Sequence, residues 1–146
     1  MSRTRLLLAD DHLVVLEGLS RHLESDFDIV AKVNNMESMM EAAKKRNPDL
    51  IVLVLSMTSM NSFKALKQLQ AMASSAKVIV LTIDTDLADI VMAFELGASA
   101  FVSKAAASSD LKTAIREVLE GRIYISPSIR VDLPQLSMPP YGEASE

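Results

Sequence analysis

Short apolar runs alternate along this chain with longer stretches whose apolar residues recur at helical spacing. Arg5-Leu-Leu-Leu-Ala9, Ile51-Val-Leu-Val-Leu55 and Lys77-Val-Ile-Val-Leu-Thr82 are compact and bounded by polar residues. Runs of this length and purity read as strands buried on both faces. Asp28–Val33 alternates more and carries Lys32, which places it at a sheet edge. Ser99–Ser103 reads as a short fifth strand. Between them, Leu13, Leu16, Leu19 and Leu23 form one helical stripe, with Glu17, Arg21 and Glu24 opposite. Gly18 inside that helix costs about 1 kcal/mol relative to Ala, so a close packing contact is expected there. Met36 to Lys45 is a second helix, with Met36, Met39, Met40 and Ala43 inward, stopped by Asn47-Pro48-Asp49. Ser56 to Ser62 reads as a loop with Asn61 as N-cap, and a third helix starts at Phe63. A loop at Ile83–Asp86 leads into a fourth helix, ended near Leu96 by Gly97. Ser108 to Glu120 is the last, with Leu111, Ala114, Ile115, Val118 and Leu119 apolar. The methionines at 36, 39, 40, 72 and 92 read as core filler.

Five strands alternating with five helices imply βαβ units and a parallel sheet covered on both faces. The expected fold is a flavodoxin-like doubly wound α/β sheet of five strands, order 2-1-3-4-5. Residues 1–122 make this domain. Residues 123–146 contain Pro127, Pro134, Pro139 and Pro140 and read as a linker or arm.

The 146 residues suit one domain with a real core. The absence of cysteine excludes disulfides, thiolate catalysis and cysteine metal sites. No apolar run approaches the ~18 residues that span a bilayer, and the run after Arg5 ends at Asp10, so a cytoplasmic protein without membrane contact is expected. The net charge of −4, with Lys and Arg scattered, offers no nucleic-acid footprint. Any DNA contact would fall to a domain outside this chain.

Four features fall at the carboxyl ends of strands, where open parallel sheets bind ligands. Asp10 and Asp11 follow the first strand, the Ser56–Ser62 loop follows the third, Thr82 ends the fourth and Lys104 follows the fifth. Two adjacent carboxylates suit a hard cation such as Mg2+. A hydroxyl and an ammonium suit an anionic group such as a phosphoryl. Each alone has an ordinary structural reading, a helix cap for the acidic pair above all. Their conjunction on neighbouring strand ends is what carries weight. His12 reads as a helix-start residue beside the acidic pair.

These residues carry a resemblance to the receiver domain of two-component response regulators, most closely the NarL/FixJ (LuxR-type) group. It rests on Leu7-Leu-Ala-Asp-Asp-His12, Glu17-Gly-Leu19, Pro48-Asp-Leu-Ile-Val52, Leu55-Ser-Met57 with Met60-Asn61, Val78-Ile-Val-Leu-Thr82, Glu95-Leu-Gly-Ala98, Phe101-Val-Ser-Lys104 and Gly121-Arg-Ile-Tyr124. The resemblance covers residues 3 to about 127 and implies the CheY-like form of the fold. It implies that Asp10 and Asp11, with Ser56 beside them, form the acidic metal pocket, that Thr82 and Lys104 contact a phosphoryl group, and that Phe101 is the aromatic switch. It also implies a histidine kinase as a partner and homodimerisation through the first and last helices, where Ala106, Ala107 and Ala114 would allow close approach.

The resemblance breaks at its centre. The family's phosphoacceptor aspartate immediately precedes Leu-Ser-Met, and here that residue is Val54. An isopropyl group has no lone pair, so it can be neither nucleophile nor metal ligand. Thr58, Ser59 and Ser62 depart from the family pattern as well. The expected function is a phosphorylation-independent, atypical receiver of a LuxR-type transcriptional regulator, acting by protein–protein contact. It is not an enzyme, needs no cofactor and binds Mg2+ weakly or not at all. Two alternatives stay open. One is a small-molecule sensor using the degenerate pocket, and the other an acceptor-knockout variant of an ordinary phosphorylatable receiver. A phosphohydrolase with Asp10 as nucleophile is a third and remote class.

Overall fold

The computed structural model describes residues 3–10, 12–55, 59–72, 75–82 and 87–127, with the side chains of residues 55, 59–62 and 87 outside the description. The elements run β1 (Arg5–Ala9), α1 (Leu13–Leu23), β2 (Asp28–Val33), α2 (Met36–Arg46), β3 (Leu50–Leu55) and α3 (Ser59–Ala71). They continue with β4 (Lys77–Thr82), α4 (Leu87–Glu95), β5 (Ala100–Ser103), a 3-10 turn at Lys104–Ala106, α5 (Ala107–Leu119) and β6 (Tyr124–Ile125). All strand pairs are parallel, in the order 2-1-3-4-5-6. The flavodoxin-like fold stands, with six strands where five were expected. The sixth comes from the segment read as an arm. Tyr124 N–H donates to Ser99 O, Ser126 N–H donates to Phe101 O, and Ile125 is fully buried, so the packed sheet runs past residue 122.

The period-2 alternation of the strands sorts their side chains into two apolar layers. Leu6, Leu8, Leu50, Val52, Val54, Ile79, Leu81, Ala100 and Val102 pack against the buried stripes of α1 and α5. Leu7, Ala9, Ile51, Leu53, Val78, Val80 and Phe101 pack against α2, α3 and α4. The apolar runs of β1, β3 and β4 follow directly, because each of these strands must supply both layers.

Local chemistry sets the helix ends. Asn35 caps α2, its side chain accepting from Ser38 N–H at 2.8 Å, and Asn47 ends that helix in the left-handed region at φ 47°. Gly97 and Gly121 close α4 and α5 at φ 105° and 88°, where a Cβ is disfavoured. Four expectations need correction. Asn61 is not an N-cap, because α3 begins at Ser59 and Asn61 lies within its first turn. Leu13 and Leu119, read as part of the apolar stripes of their helices, are 64% and 43% exposed. They sit at the two ends of their helices, where the core layer no longer reaches. Met92, read as core, is 45% exposed on the outer side of α4. Gly18 faces solvent, and a Cβ there would meet nothing within 4 Å, so no packing inside this chain explains it.

Candidate functional site at the carboxyl edge

Asp10 continues β1. Its N–H donates to Val33 O at 3.1 Å, so the strand alternation extends through it, and its carboxylate falls on the Leu6 and Leu8 side. That carboxylate is fully buried, with His12 Nδ1 3.5 Å from its Oδ1. His12 occupies the N-cap position of α1. The β1–β3 register pairs Leu8 with Val52 and Ala9 with Leu53, so Val54 lies next in line beside Asp10. Val54 is buried within the same apolar layer and pairs with Leu81 of β4. Lys104 follows Val102 by two residues on that layer's strand and opens the 3-10 turn before α5.

Thr82 and Phe101 belong to the opposite face. Thr82 follows Val78 and Val80 in alternation, is fully buried, and pairs with Ser103 across the β4–β5 ladder. Phe101 is fully buried and meets Phe94 of α4, with ring centroids 6.4 Å apart. The edge therefore collects Asp10 and Val54 from the α1/α5 side, Thr82 above Phe101 from the other side, and Lys104 from the turn that follows β5. Asp11, Ser56 and the Ile83–Asp86 loop lie outside the described residues. Of the residues expected to hold a cation, Asp10 alone is described, and Val54 brings no oxygen to it. No group of three or more His, Cys, Asp or Glu side chains placed to hold a metal ion occurs among the described residues.

Sequence reasoning missed the polar cluster beside Lys104. Ser126, fully buried, accepts from Ser103 N–H at 3.0 Å and donates to Asp110 Oδ2 at 2.9 Å. The apolar Ile123-Tyr-Ile125 run was the available signal for it, masked by the prolines that follow.

The class defined by the fold is a doubly wound parallel sheet with an acid, a hydroxyl and a lysine at the carboxyl ends of its strands. The chain belongs to the response regulator receiver domain family, whose model matches residues 6–116. It is 30% identical over 134 residues to the transcriptional regulatory protein DegU of Brevibacillus brevis, covering 90% of this chain and 57% of that protein. It is 29% identical over 126 residues to the nitrate/nitrite response regulator NarL of Escherichia coli, covering 85% of this chain and 58% of that one. Among solved structures it is similar to a LuxR-family two-component response regulator from an Aurantimonas strain. That match has a TM-score of 0.85 at 28% identity and covers 92% of this chain and 97% of the other. The chain is thus a receiver of the NarL/LuxR type, a regulatory family, and it spans little more than half the length of these curated relatives. Among the described residues no helix is long and apolar enough to cross a membrane.

Proposed function

We propose that this receiver signals without phosphorylation at position 54, through contacts with other proteins. The observation that carries this reading is Val54, which occupies the end of β3 where the family's acceptor aspartate is expected and is buried in an apolar layer. A valine there can form no acyl phosphate, because it has no oxygen to attack phosphorus. The site roles follow the same reading. Asp10, with Asp11 and Ser56, is the residue of a metal pocket that binds Mg2+ weakly or not at all. Thr82 and Lys104 are the phosphoryl-contact positions, and Phe101 is the aromatic switch, packed inward.

The partner surface is α1 with α5, used by a second copy of the chain. Exposed Leu13 and Val14, and an exposed Gly18 that no internal contact explains, support this face. DNA contact and any dialogue with a histidine kinase belong to the longer protein of which such receivers form part. Residues after β6 act as the connection.

Titration with Mg2+ and beryllofluoride, followed by amide shifts and by sedimentation, tests the reading. The expected result is no shift at Lys104 or Thr82 and an oligomeric state that does not change. Saturable binding would overturn it and make non-covalent ligand sensing the leading function.

A further inference from the structure

The 3-10 turn that carries Lys104 is held from both sides by one hydroxyl. Ser103, immediately before the turn, donates its N–H to Ser126 Oγ at 3.0 Å. Asp110, in the first turn of the helix that follows, accepts from the same Oγ at 2.9 Å. A serine hydroxyl has one proton and two lone pairs. With a backbone N–H on one side and a carboxylate on the other, the direction of both bonds is fixed. Ser126 is itself fully buried and anchored, its N–H donating to Phe101 O at 3.0 Å, and it follows directly on the edge strand β6. Ser109 Oγ braces the other carboxylate oxygen of Asp110 at 3.3 Å.

We propose that Ser126 is a positioning residue for Lys104, and that docking of β6 couples the chain beyond residue 127 to the carboxyl edge. β6 is two residues long and lies at the edge of the sheet, so it is the strand with fewest ladder bonds to break. When β6 leaves, Ser103 N–H and Asp110 lose their shared partner, and the turn between them keeps only the Ser109 Oγ bond to Ala106 O, at 3.2 Å, among the described side-chain ties. When β6 is docked, the turn is fixed and Lys104 is held at one place on the edge. A pull on β6 therefore reaches the turn through the Ser126 side chain as well as through the β5–β6 ladder. The clamp stands on these hydrogen bonds and does not depend on what Val54 replaces.

The test is residue-resolved amide exchange and chemical shift on the full 146-residue chain. In Ser126→Ala, the Ser103 amide exchanges roughly tenfold faster, as expected for loss of one buried hydrogen bond. The Lys104 and Ala105 amide shifts move, while amides of β1 and β3 keep their rates. Ser126→Thr keeps the hydroxyl and restores both readouts. Asp110→Ala, at a half-buried site, reproduces the Ser126→Ala pattern and carries the test should that variant fail to fold. The double variant goes no further than either single change, because the groups act as one unit. Unchanged Ser103 exchange in a folded variant, acceleration spread evenly over the sheet, or simple addition of the two effects would each overturn the clamp.

Discussion

The two edges of the sheet use charge in opposite ways. At the amino edge, Arg3, Arg5, Asp49 and the Lys112–Asp26 pair are tied to structural tasks. Arg3 donates to the carbonyls of Glu24 and Phe27 where α1 ends, and Arg5 donates to those of Arg46 and Asn47 where α2 ends. Asp49 accepts from Arg5 N–H at 2.9 Å, and Lys112 pairs with Asp26 at 2.8 Å. Helix C-termini present unsatisfied carbonyls and a partial negative charge, so guanidinium groups there stabilise the fold directly. At the carboxyl edge, a buried carboxylate and a buried isopropyl group lie on one face of the sheet, a buried threonine on the other, and a lysine in the turn after β5. Charge at the amino edge ties down helix ends, whereas at the carboxyl edge it lies on strand ends beside the valine on which the proposed function rests.

The strongest way to break this comparison is to restore a carboxylate at the centre of the carboxyl edge. Val54→Asp removes a buried isopropyl group and places a second acid next in line to buried Asp10. Loss of apolar burial and like-charge crowding add, and the apo protein is expected to lose roughly 2–4 kcal/mol in urea melts at neutral pH. Mg2+ should return part of that loss in the variant and none in the parent. A variant as stable as the parent without Mg2+ would mean that the pocket tolerates the charge, and the crowding argument would fall.

The amino edge gives a smaller effect of a different kind. Arg5→Ala removes two charge-assisted bonds to the end of α2 and leaves those carbonyls to water. A loss of about 1–2 kcal/mol is expected, independent of Mg2+ and without change at Lys104 or Thr82 in amide shifts. Transmission of the substitution to the carboxyl edge would show that the two edges are not separate in the way argued here.

How far each edge could be read beforehand follows from the physics that shapes it. The strands were legible because burial on both faces demands continuous apolar runs, and β4 falls at Lys77–Thr82 as expected. The stop of α2 was legible because Asn47 before Pro48 favours a left-handed end. Asp10, Thr82 and Lys104 could be placed at strand ends because the topology brings every carboxyl end to one side. The structure adds that they come from two faces of the sheet. What escaped was set by tertiary context. The exposure of Leu13, Met92 and Leu119 depends on where the layers stop, which helical periodicity does not encode. β6 is too short for its own pattern to outweigh the prolines around it. The bonds of Ser126 carry no sequence signal of their own, since its partners Ser103 and Asp110 lie 23 and 16 residues away and only the preceding apolar run pointed to a packed strand.

The smallest expected effect is also the one that titrates. The Lys112 ammonium, hydrogen-bonded to Asp26, holds that carboxyl below the usual carboxylate range, with Arg116 and Arg3 adding to the pull. A carboxyl whose folded pKa is depressed contributes stability above its unfolded value, near pH 4, and loses it as pH falls through the folded value. The contribution is therefore present at neutral pH and fades only in acid. Both partners are partly exposed, so screening keeps it small and salt should reduce it further. Lys112→Gln should lower the urea midpoint slightly at pH 7, with a smaller difference at about pH 2, because protonation of Asp26 removes the pair. An equal difference at both values would assign the role of Lys112 to the packing of its aliphatic stem against α1. In that case at least one charge at the amino edge would do no electrostatic work, and the contrast with the carboxyl edge would rest on the arginines alone.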